Sequence, residues 1–321
     1  MTDGPRPDGR IPLTIVGGFL GAGKSTWLRH QLHEGRFGTA RLLVNEAAET
    51  PVDNLLLGKA GRIEILAGGC ACCEGRAALL AALRRLLAER DASPADAAGR
   101  FLLETSGLAD PGAIANTLAS DAMLARRLFV DRVIVLVDAL HAPSQLAEDE
   151  LARRQIEAGE TIIVTKPREA SRPGLARLVS TLRLLNPGAR IEGAERGVRH
   201  ELPEDEAEPY ALPVLPSASE PIRPCRLDVS QGGGWASFSV WLSALLAARG
   251  DDIVRVKGVV TSPAGRLLLQ SVRKVVQPPE ILPEPAEDDA PPEDDRVVLL
   301  GRGMDEALLS RSLRRFAQVW P

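Results

Sequence analysis

The sequence predicts an α/β fold in which a doubly wound, mostly parallel sheet is followed by a smaller α+β domain. Over the first two-thirds of the chain, short apolar runs alternate with longer segments of helical periodicity. Strands that are apolar throughout are buried on both faces by the helices between them, so this pattern is typical of a parallel sheet. After a break in composition, the last third has helix and strand patterns of its own, and 321 residues suffice for about two domains.

Each element of the first domain follows from such a run. The expected strands are Ile11–Val16, Arg41–Asn45, Ile63–Leu66, Phe101–Glu104, Val133–Asp138 and Thr161–Thr165. The expected helices are Lys24–His33, Arg76–Arg90, Pro111–Leu118, Glu148–Ala158 and Gly174–Leu185. With right-handed crossovers, the carboxyl ends of the strands lie along one edge of the sheet, where ligands bind.

Composition also sets the expected domain limits. Residues 1–10 are polar and predicted to be a disordered tail, 11–192 the first domain, and 193–224, rich in Glu and Pro, a linker. In the second domain, 225–321, we expect helices Trp235–Arg249 and Met304–Val319 and strands Ile253–Thr261, Arg266–Val276 and Val297–Gly301. Residues 278–295 hold six Pro, eight acidic residues and no Lys or Arg, which predicts a disordered loop.

Charge and apolar content limit the partners. The net charge of −4 and the lack of a basic cluster with interleaved aromatics argue against nucleic acid as a partner. No apolar run reaches about 18 residues and the N-terminus lacks a signal pattern, so we expect no membrane span and a cytoplasmic chain. The sequence leaves a homodimer open.

A phosphate-binding loop is the clearest motif. Residues 18–25 read Gly-Phe-Leu-Gly-Ala-Gly-Lys-Ser, between an apolar strand and a helix, and fit the pattern G-x-x-x-x-G-K-[ST] in full. Lys24 is expected to reach the outer phosphates and the Ser25 hydroxyl to bind Mg²⁺, whereas a chance glycine-rich turn is the alternative. The expected nucleotide-binding residues are Gly18, Gly21, Ala22, Gly23, Lys24, Ser25 and Thr26. The sequence therefore predicts a P-loop nucleoside triphosphatase.

A second motif ends the strand at Phe101–Glu104. The residues Glu104-Thr105-Ser106-Gly107 place a carboxylate at a strand tip, as an Mg²⁺ site needs, and Gly107 where a backbone can approach the γ-phosphate. An ordinary polar strand end is the alternative. We take Lys24 and Glu104 as the candidate catalytic residues.

Three thiols crowd into Cys70, Cys72 and Cys73, out of four Cys in the chain. They can converge as thiolates on a soft cation such as Zn²⁺, although Co²⁺, Ni²⁺ and Fe²⁺ are also compatible. A fourth ligand could be water, Glu46 or Glu49. Buried structural cysteines or a redox pair are the alternatives.

Together these residues resemble the CobW-like P-loop GTPases, which include zinc and cobalt metallochaperones and insertases. The resemblance covers nearly the whole chain. It rests on the loop at 18–25, Asn45-Glu46 with Glu49 and Asp53, the Cys-x-Cys-Cys at 70–73, the run at 104–111, Val137-Asp138-Ala139, Thr165-Lys166, and 254–258 and 299–303 in the second domain.

The resemblance implies a function and further site residues. Residues 45–53 would be switch I, with Asp53 near Mg²⁺, and Thr165 and Lys166 would contact the base of GTP. The three thiols with Glu46 and Glu49 would hold a transition metal, and nucleotide hydrolysis would govern its delivery to a client metalloprotein. Because switch segments reorganise after hydrolysis, metal affinity and nucleotide state should be linked.

Two departures from the family pattern qualify this reading. Thr165-Lys166-Pro167-Arg168 replaces Asn/Thr-Lys-x-Asp, and Arg168 cannot accept the hydrogen bonds that the Asp takes from guanine. Weakened guanine selectivity is therefore expected, and ATP stays open as an alternative nucleotide to GTP. Ala47-Ala48 replaces Phe-Gly in switch I. The rival functions are a metal-sensing nucleotide-binding module with vestigial hydrolysis and a P-loop small-molecule kinase.

Overall fold

The computed structural model describes residues 9–46, 63–67, 76–92, 99–214, 222–230, 233–250, 252–272, 275–276, 279–282 and 294–319. The chain divides into two compact units, Met1–Ala218 and Ser219–Pro321. Among the described residues, no helix combines the length and the apolar character that crossing a membrane requires.

The described part of the first unit is built on one sheet. Its strands are β1 (Ile11–Gly18), β2 (Ala40–Glu46), β3 (Ile63–Ala67), β4 (Arg100–Glu104), β5 (Leu128–Asp138), β6 (Thr161–Thr165), β7 (Arg190–Glu195) and β8 (Val198–His200). They lie in the order β3-β2-β4-β1-β5-β6-β7-β8, and β1 to β7 are parallel. Only β8 is antiparallel to its neighbour. The carboxyl ends of the seven parallel strands therefore share one edge.

Helices cover both faces of this sheet. They are α1 (Lys24–His33), α2 (Arg76–Ala92), α3 (Pro111–Ser120), α4 (Ala122–Arg127), α5 (Ala142–Glu148), α6 (Glu150–Ala158) and α7 (Arg172–Leu185), with a short 3-10 turn at Pro167–Glu169. Strands β1 and β4 are buried at every position. The prediction of a doubly wound, mostly parallel sheet is confirmed, because strands with apolar residues on both faces need helices on both sides.

The predicted linker is wrong over its first part. Residues 193–200 belong to the β7–β8 hairpin, which joins the sheet beside β6. The sequence Arg-Ile-Glu-Gly-Ala-Glu of β7 alternates polar residues because it lies near the sheet edge, so it lacks the apolar run of a central strand. Its tight turn, Arg196–Gly197, has positive φ at both residues, as a two-residue hairpin turn requires.

Residues 201–214 also pack on the first unit rather than spanning freely between units. The hydroxyl of Tyr210 donates to the Gly174 carbonyl at 3.2 Å, and the Arg177 guanidinium lies 4.3 Å from the Tyr210 ring centre. Arg153 donates to the Pro213 carbonyl at 2.9 Å. Backbone groups of this segment thus find partners without regular secondary structure, which composition alone does not reveal.

The predicted disordered N-terminal tail, residues 1–10, is wrong at Arg10. Arg10 is only 5% exposed, and its guanidinium lies 5.5 Å from the Phe129 ring centre at the start of β5. Arginine can bury its stem against an aromatic face, so a charged residue here belongs to the folded unit. Residues 1–8 lie outside the described part.

The second unit is an antiparallel sheet with two described helices. Its elements are β9 (Ile222–Asp228), α8 (Gly234–Arg249), β10 (Ile253–Ser262), β11 (Gly265–Val272), β12 (Val275–Val276), β13 (Glu280–Leu282), β14 (Arg296–Arg302) and α9 (Glu306–Val319). The sheet order is β12-β11-β10-β14-β9, with β13 paired to β11. Its core includes Phe238 and Trp241 of α8 and Leu313 of α9. The α+β prediction is confirmed, whereas β9, which begins in the expected linker and continues into the expected second domain, was missed.

The two ends of the acidic segment 278–295 are ordered, contrary to the prediction of a disordered loop. Glu280–Leu282 forms β13. The carboxylate of Asp294 forms an ion pair with Arg266 at 2.7 Å, and Asp295 accepts from the Thr261 backbone N–H at 2.8 Å. Asp294 and Asp295 therefore bind groups on β11 and β10, which come close to them only when these two strands form their hairpin. Residues 283–293 lie outside the described part.

Candidate functional site

The phosphate loop leaves β1 through glycines that no other residue could replace without strain. Gly18 has φ +131°, and a Cβ built there would lie 2.3 Å from the carbonyl oxygen of Leu136 on β5. Gly21 and Gly23 have φ values of +76° and +80°. These left-handed conformations are open to glycine, so the backbone can curl around an anion.

Helix α1 begins immediately after this curl. Lys24 is its first residue, and the Nζ atom donates to the carbonyls of Gly18 and Phe19 at 2.9 and 3.1 Å. Ala22 is buried, whereas Thr26 is exposed in the first turn of α1. The ammonium group and the positive end of the helix dipole therefore face the same loop, a suitable arrangement for phosphates.

Two oxygen atoms meet between the start of α1 and the tip of β4. The hydroxyl of Ser25 donates to Oε1 of Glu104 at 2.6 Å, and Glu104 is only 3% exposed. Glu104 ends β4 in register with Val16 of β1 and Val44 of β2. Because Mg²⁺ prefers hard oxygen ligands, this carboxylate and hydroxyl fit the predicted magnesium site.

The segment after β4 presses against the phosphate loop. A Cβ on Gly107 would lie 2.6 Å from the Leu20 backbone nitrogen, so only glycine allows this approach. The Gln155 side chain of α6 is buried and donates to the carbonyls of Gly107 and Ala109 at 3.1 and 2.8 Å. Gln155 thus holds the segment in place, a role that sequence reasoning missed because nothing local marks it.

The tip of β6 touches the same loop. The hydroxyl of Thr165 donates to the Ala22 carbonyl at 2.9 Å. Lys166 adopts a left-handed conformation with φ +52°, and its Nζ lies 2.5 Å from Oδ2 of Asp138. Arg168 is exposed in the turn that follows. Thr165 and Lys166, predicted to contact the base, therefore lie beside the phosphate loop.

Asp138, at the end of β5, binds several groups beside the tip of β6. It ends β5, is 2% exposed, and accepts hydrogen bonds from Lys166, from His141 Nδ1 at 2.9 Å and from the Leu140 N–H at 2.9 Å. Burial alone would raise the pKa of Asp138, but the hydrogen bonds from Lys166, His141 and Leu140 outweigh it and lower the pKa below its ordinary value. A carboxylate at the end of an apolar run was the available signal, as for Glu104.

The structure does not describe the side chains of the predicted transition-metal residues. Cys70, Cys72, Cys73 and Glu49 lie outside the described residues, as does the side chain of Glu46. Asp53, predicted to lie near Mg²⁺, is also outside them. The Glu46 backbone ends β2 and pairs with Ala67, the last residue of β3. Among the residues that are described, no cluster of three metal-binding side chains occurs.

Comparisons with solved structures support the fold. The Zn(II)-bound YjiA GTPase from Escherichia coli is 22% identical, with a TM-score of 0.60 over 96% of this chain and 99% of that chain. A triple mutant of the same GTPase is 24% identical and has a TM-score of 0.61 over the same shares. At these identities the likeness concerns the fold.

Sequence comparisons define the family. Zinc chaperone YjiA of E. coli is 40% identical over 157 residues, which cover 49% of this chain and about half, 49%, of that relative. Zinc chaperone CobW of Pseudomonas aeruginosa is 29% identical over an alignment covering 95% of this chain and 91% of the relative. The family pattern "CobW/HypB/UreG, nucleotide-binding domain" matches residues 12–192, and the CobW C-terminal domain pattern matches 227–317. The chain therefore belongs to the CobW/HypB/UreG family.

Proposed function

We propose that this chain is a GTP-hydrolysing metallochaperone that delivers zinc to a client metalloprotein in the cytoplasm. The observation that supports it most is the Ser25–Glu104 pair at 2.6 Å, which joins the phosphate loop to the tip of β4. The relatives named zinc chaperone YjiA and zinc chaperone CobW support zinc as cargo. The crowding of three thiols favours a reducing compartment.

The nucleotide residues have distinct roles in this proposal. Lys24 neutralises charge on the outer phosphates, and the backbone of Gly21, Ala22 and Gly23 cradles them. Ser25 and Glu104, with Asp53, hold Mg²⁺, which when bound neutralises charge that develops on the phosphate oxygens. Gly107 lets the backbone after β4 lie close to the terminal phosphate.

Strand register supports coupling between nucleotide and cargo. Val44 of β2 pairs with Glu104, and two residues later Glu46 pairs with Ala67 at the end of β3. Cys70 follows Ala67 by three residues, a chain length that spans at most about 11 Å. The described ends of β2 and β3 thus lie on the side of the sheet next to β4, which carries Glu104, and the residues proposed to bind the cargo metal follow these ends in sequence. In this proposal hydrolysis changes the ligand set, and metal must then alter nucleotide affinity by the same factor.

Base selectivity is weaker than the family motif would provide. Arg168 is exposed and offers only donors, whereas the Asp of the motif accepts two hydrogen bonds from guanine. We therefore propose that GTP is preferred over ATP by less than in a relative carrying that Asp.

Metal titration tests the proposal. Zinc affinity of the full chain is measured by calorimetry with and without a non-hydrolysable GTP analogue, for the wild type and for a variant with Cys70, Cys72 and Cys73 changed to Ser. We expect nucleotide to shift zinc affinity in the wild type and the Ser variant to lose the site. Zinc binding that ignores nucleotide would refute the coupling.

Transfer to a client separates the remaining functions. Lys24→Ala should abolish hydrolysis and nucleotide-dependent zinc release to a chelator that stands in for the client. Unchanged release by Lys24→Ala would favour the metal-sensing module, whose nucleotide turnover is vestigial. Phosphate transfer from GTP to a small acceptor, with no zinc dependence, would favour the kinase.

A further inference from the structure

We infer that Gln155 of α6 is a positioning residue for nucleotide hydrolysis, which holds the segment 106–110 beside the phosphate loop in the arrangement that meets the terminal phosphate. This role rests on the proposed function and deepens it. Gln155 need not touch the nucleotide, because it acts through the backbone of Gly107 and Ala109.

The side-chain amide of Gln155 binds two carbonyls of this segment. Its Nε2 atom donates to the Gly107 carbonyl at 3.1 Å and to the Ala109 carbonyl at 2.8 Å, and the residue is only 1% exposed. A side-chain amide nitrogen has two hydrogens to donate, so these bonds use both. Because the site is buried, water cannot replace the amide without a cost, and the two carbonyls stay directed at α6.

The turn that Gln155 holds adjoins one end of the phosphate loop. A Cβ on Gly107 would lie 2.6 Å from the Leu20 backbone nitrogen. The Nζ atom of Lys24, a group that reaches the outer phosphates in such loops, donates to the two carbonyls that immediately precede Leu20. Gly107 therefore lies at the end of the loop nearest to the outer phosphates, and a shift of its backbone would be felt there first.

Other contacts fix the two ends of the segment. At one end, the backbone N–H and the hydroxyl of Thr105 donate to the Val16 carbonyl of β1 at 2.9 and 3.3 Å. At the other end, Asp110 caps α3 by accepting from two of its first N–H groups. Between them, Ser106 accepts from N–H groups two and three residues further on, which are contacts within the segment itself. Gln155 ties this middle part to α6.

The neighbouring residue on α6 acts on the same segment. The Nε atom of Arg154 lies 3.6 Å from Oδ2 of Asp110, close enough for attraction between the charges. The side chain of Arg154 is 40% exposed, so water weakens that attraction. The buried amide of Gln155 is therefore the stronger of the two ties.

Without Gln155, the middle of the segment would be free to adopt other backbone conformations, since Gly107 has no Cβ to restrict it. A ligand that needs one arrangement loses apparent affinity in proportion to the fraction of molecules outside it. GTP meets the segment through its terminal phosphate, whereas GDP lacks that phosphate. Loss of Gln155 should therefore weaken the binding and hydrolysis of GTP and spare the binding of GDP.

Asn186 supplies a matched control at the far end of α6. Its Nδ2 atom donates to the carbonyls of Ile156 and Gly159 at 2.8 Å each, and the residue is 2% exposed. Asn186→Leu removes the same kind of buried donor as Gln155→Met, and each replacement has nearly the size of the original side chain. The two variants should lose similar stability in thermal melts, but only Gln155 binds the segment 106–110.

Hydrolysis and binding by the full chain test this role. For the wild type and both variants, kcat/KM for GTP is measured with Mg²⁺, and dissociation constants for GDP and a non-hydrolysable GTP analogue are measured by calorimetry. Gln155→Met should lower kcat/KM and the ratio of analogue affinity to GDP affinity roughly 3- to 10-fold each, as loss of two neutral hydrogen bonds allows, with GDP affinity unchanged. Asn186→Leu should keep the wild-type values of all three.

The affinity ratio decides between a positioning and a purely structural role. Equal losses of GDP and analogue affinity in Gln155→Met, or the same ratio in Gln155→Met and Asn186→Leu, would overturn the inference. Should Gln155→Met fail to fold, Gln155→Asn, whose amide is one methylene shorter, decides by the same ratio. A wild type that does not hydrolyse GTP would overturn the proposed function, whereas active wild type with an unchanged ratio in Gln155→Met would overturn this role alone.

Discussion

Replacing Asp138 by Asn should destabilise the first unit, because the carboxylate binds Lys166 and His141 beside the tip of β6. Asp138 is buried, and its carboxylate holds Lys166 at 2.5 Å, His141 at 2.9 Å and the Leu140 N–H at 2.9 Å. The oxygen of an amide can still accept from the Leu140 N–H, but the negative charge that strengthens all three bonds is lost. Charge-assisted hydrogen bonds contribute about 1.5–3 kcal/mol and neutral ones about 0.5–1.5 kcal/mol.

The expected loss of stability in Asp138→Asn must allow for the partial exposure of Lys166. The Lys166 side chain is 32% exposed, so water weakens the loss, and we expect about 2 kcal/mol at neutral pH. For a unit of this size, that corresponds to a fall in Tm of about 4–8 °C. Urea unfolding and thermal melts of the wild type and Asp138→Asn measure both quantities.

The pH dependence gives a sharper check. The hydrogen-bonded partners lower the folded-state pKa of Asp138 below its ordinary value of 3.8, despite burial acting in the opposite direction. A lowered pKa stabilises the fold above the unfolded-state pKa, and this contribution is lost as the pH falls through the folded-state pKa. The difference in unfolding free energy between wild type and variant should therefore be constant near neutrality and shrink below about pH 4.

A control variant separates this network from general acid effects. Hydrogen bonds to the Leu124 N–H and Arg84 likewise lower the pKa of Asp121, a helix cap far from the phosphate loop in sequence. Asp121→Asn should cost about 1 kcal/mol and leave nucleotide affinity unchanged. The reasoning fails if Asp138→Asn is as stable as the wild type at neutral pH, or if its deficit persists unchanged in acid.

Three further predictions follow from other contacts. Gly18→Ala should cost at least about 3 kcal/mol in urea unfolding, because its Cβ would lie 2.3 Å from the Leu136 carbonyl oxygen at φ +131°; a wild-type unfolding curve would contradict the loop geometry. Glu104→Gln should raise the Mg²⁺ concentration needed for tight GDP binding roughly tenfold or more; an unshifted Mg²⁺ titration would remove Glu104 from the magnesium site. Tyr210→Phe should cost about 1 kcal/mol through its bond to Gly174; melting of the first unit unchanged by both Phe and Ala at 210 would show that residues 201–214 add nothing to it.

Much of the first unit could be predicted because its information is local. Buried parallel strands such as β1 are apolar at nearly every position, β4 has an apolar centre, and the phosphate loop is one contiguous motif. The hairpin β7–β8 was missed because an edge position relaxes that apolar requirement. Residues 201–214 were misread because side chains of α6 and α7 bind backbone groups of a segment that has no periodicity.

The sequence by itself determined the fold class, the phosphate loop, the carboxylate at Glu104 and the cluster of three thiols. Each of these depends on residues adjacent in the chain or on a repeated period, so no long-range contact is needed to recognise it. Only the tertiary structure decided that Asp138 binds Lys166, that Gln155 holds Gly107, and that Thr165 binds the phosphate loop. Those relations join residues far apart in sequence, and strand register and burial, which arise only when the sheet assembles, bring them together.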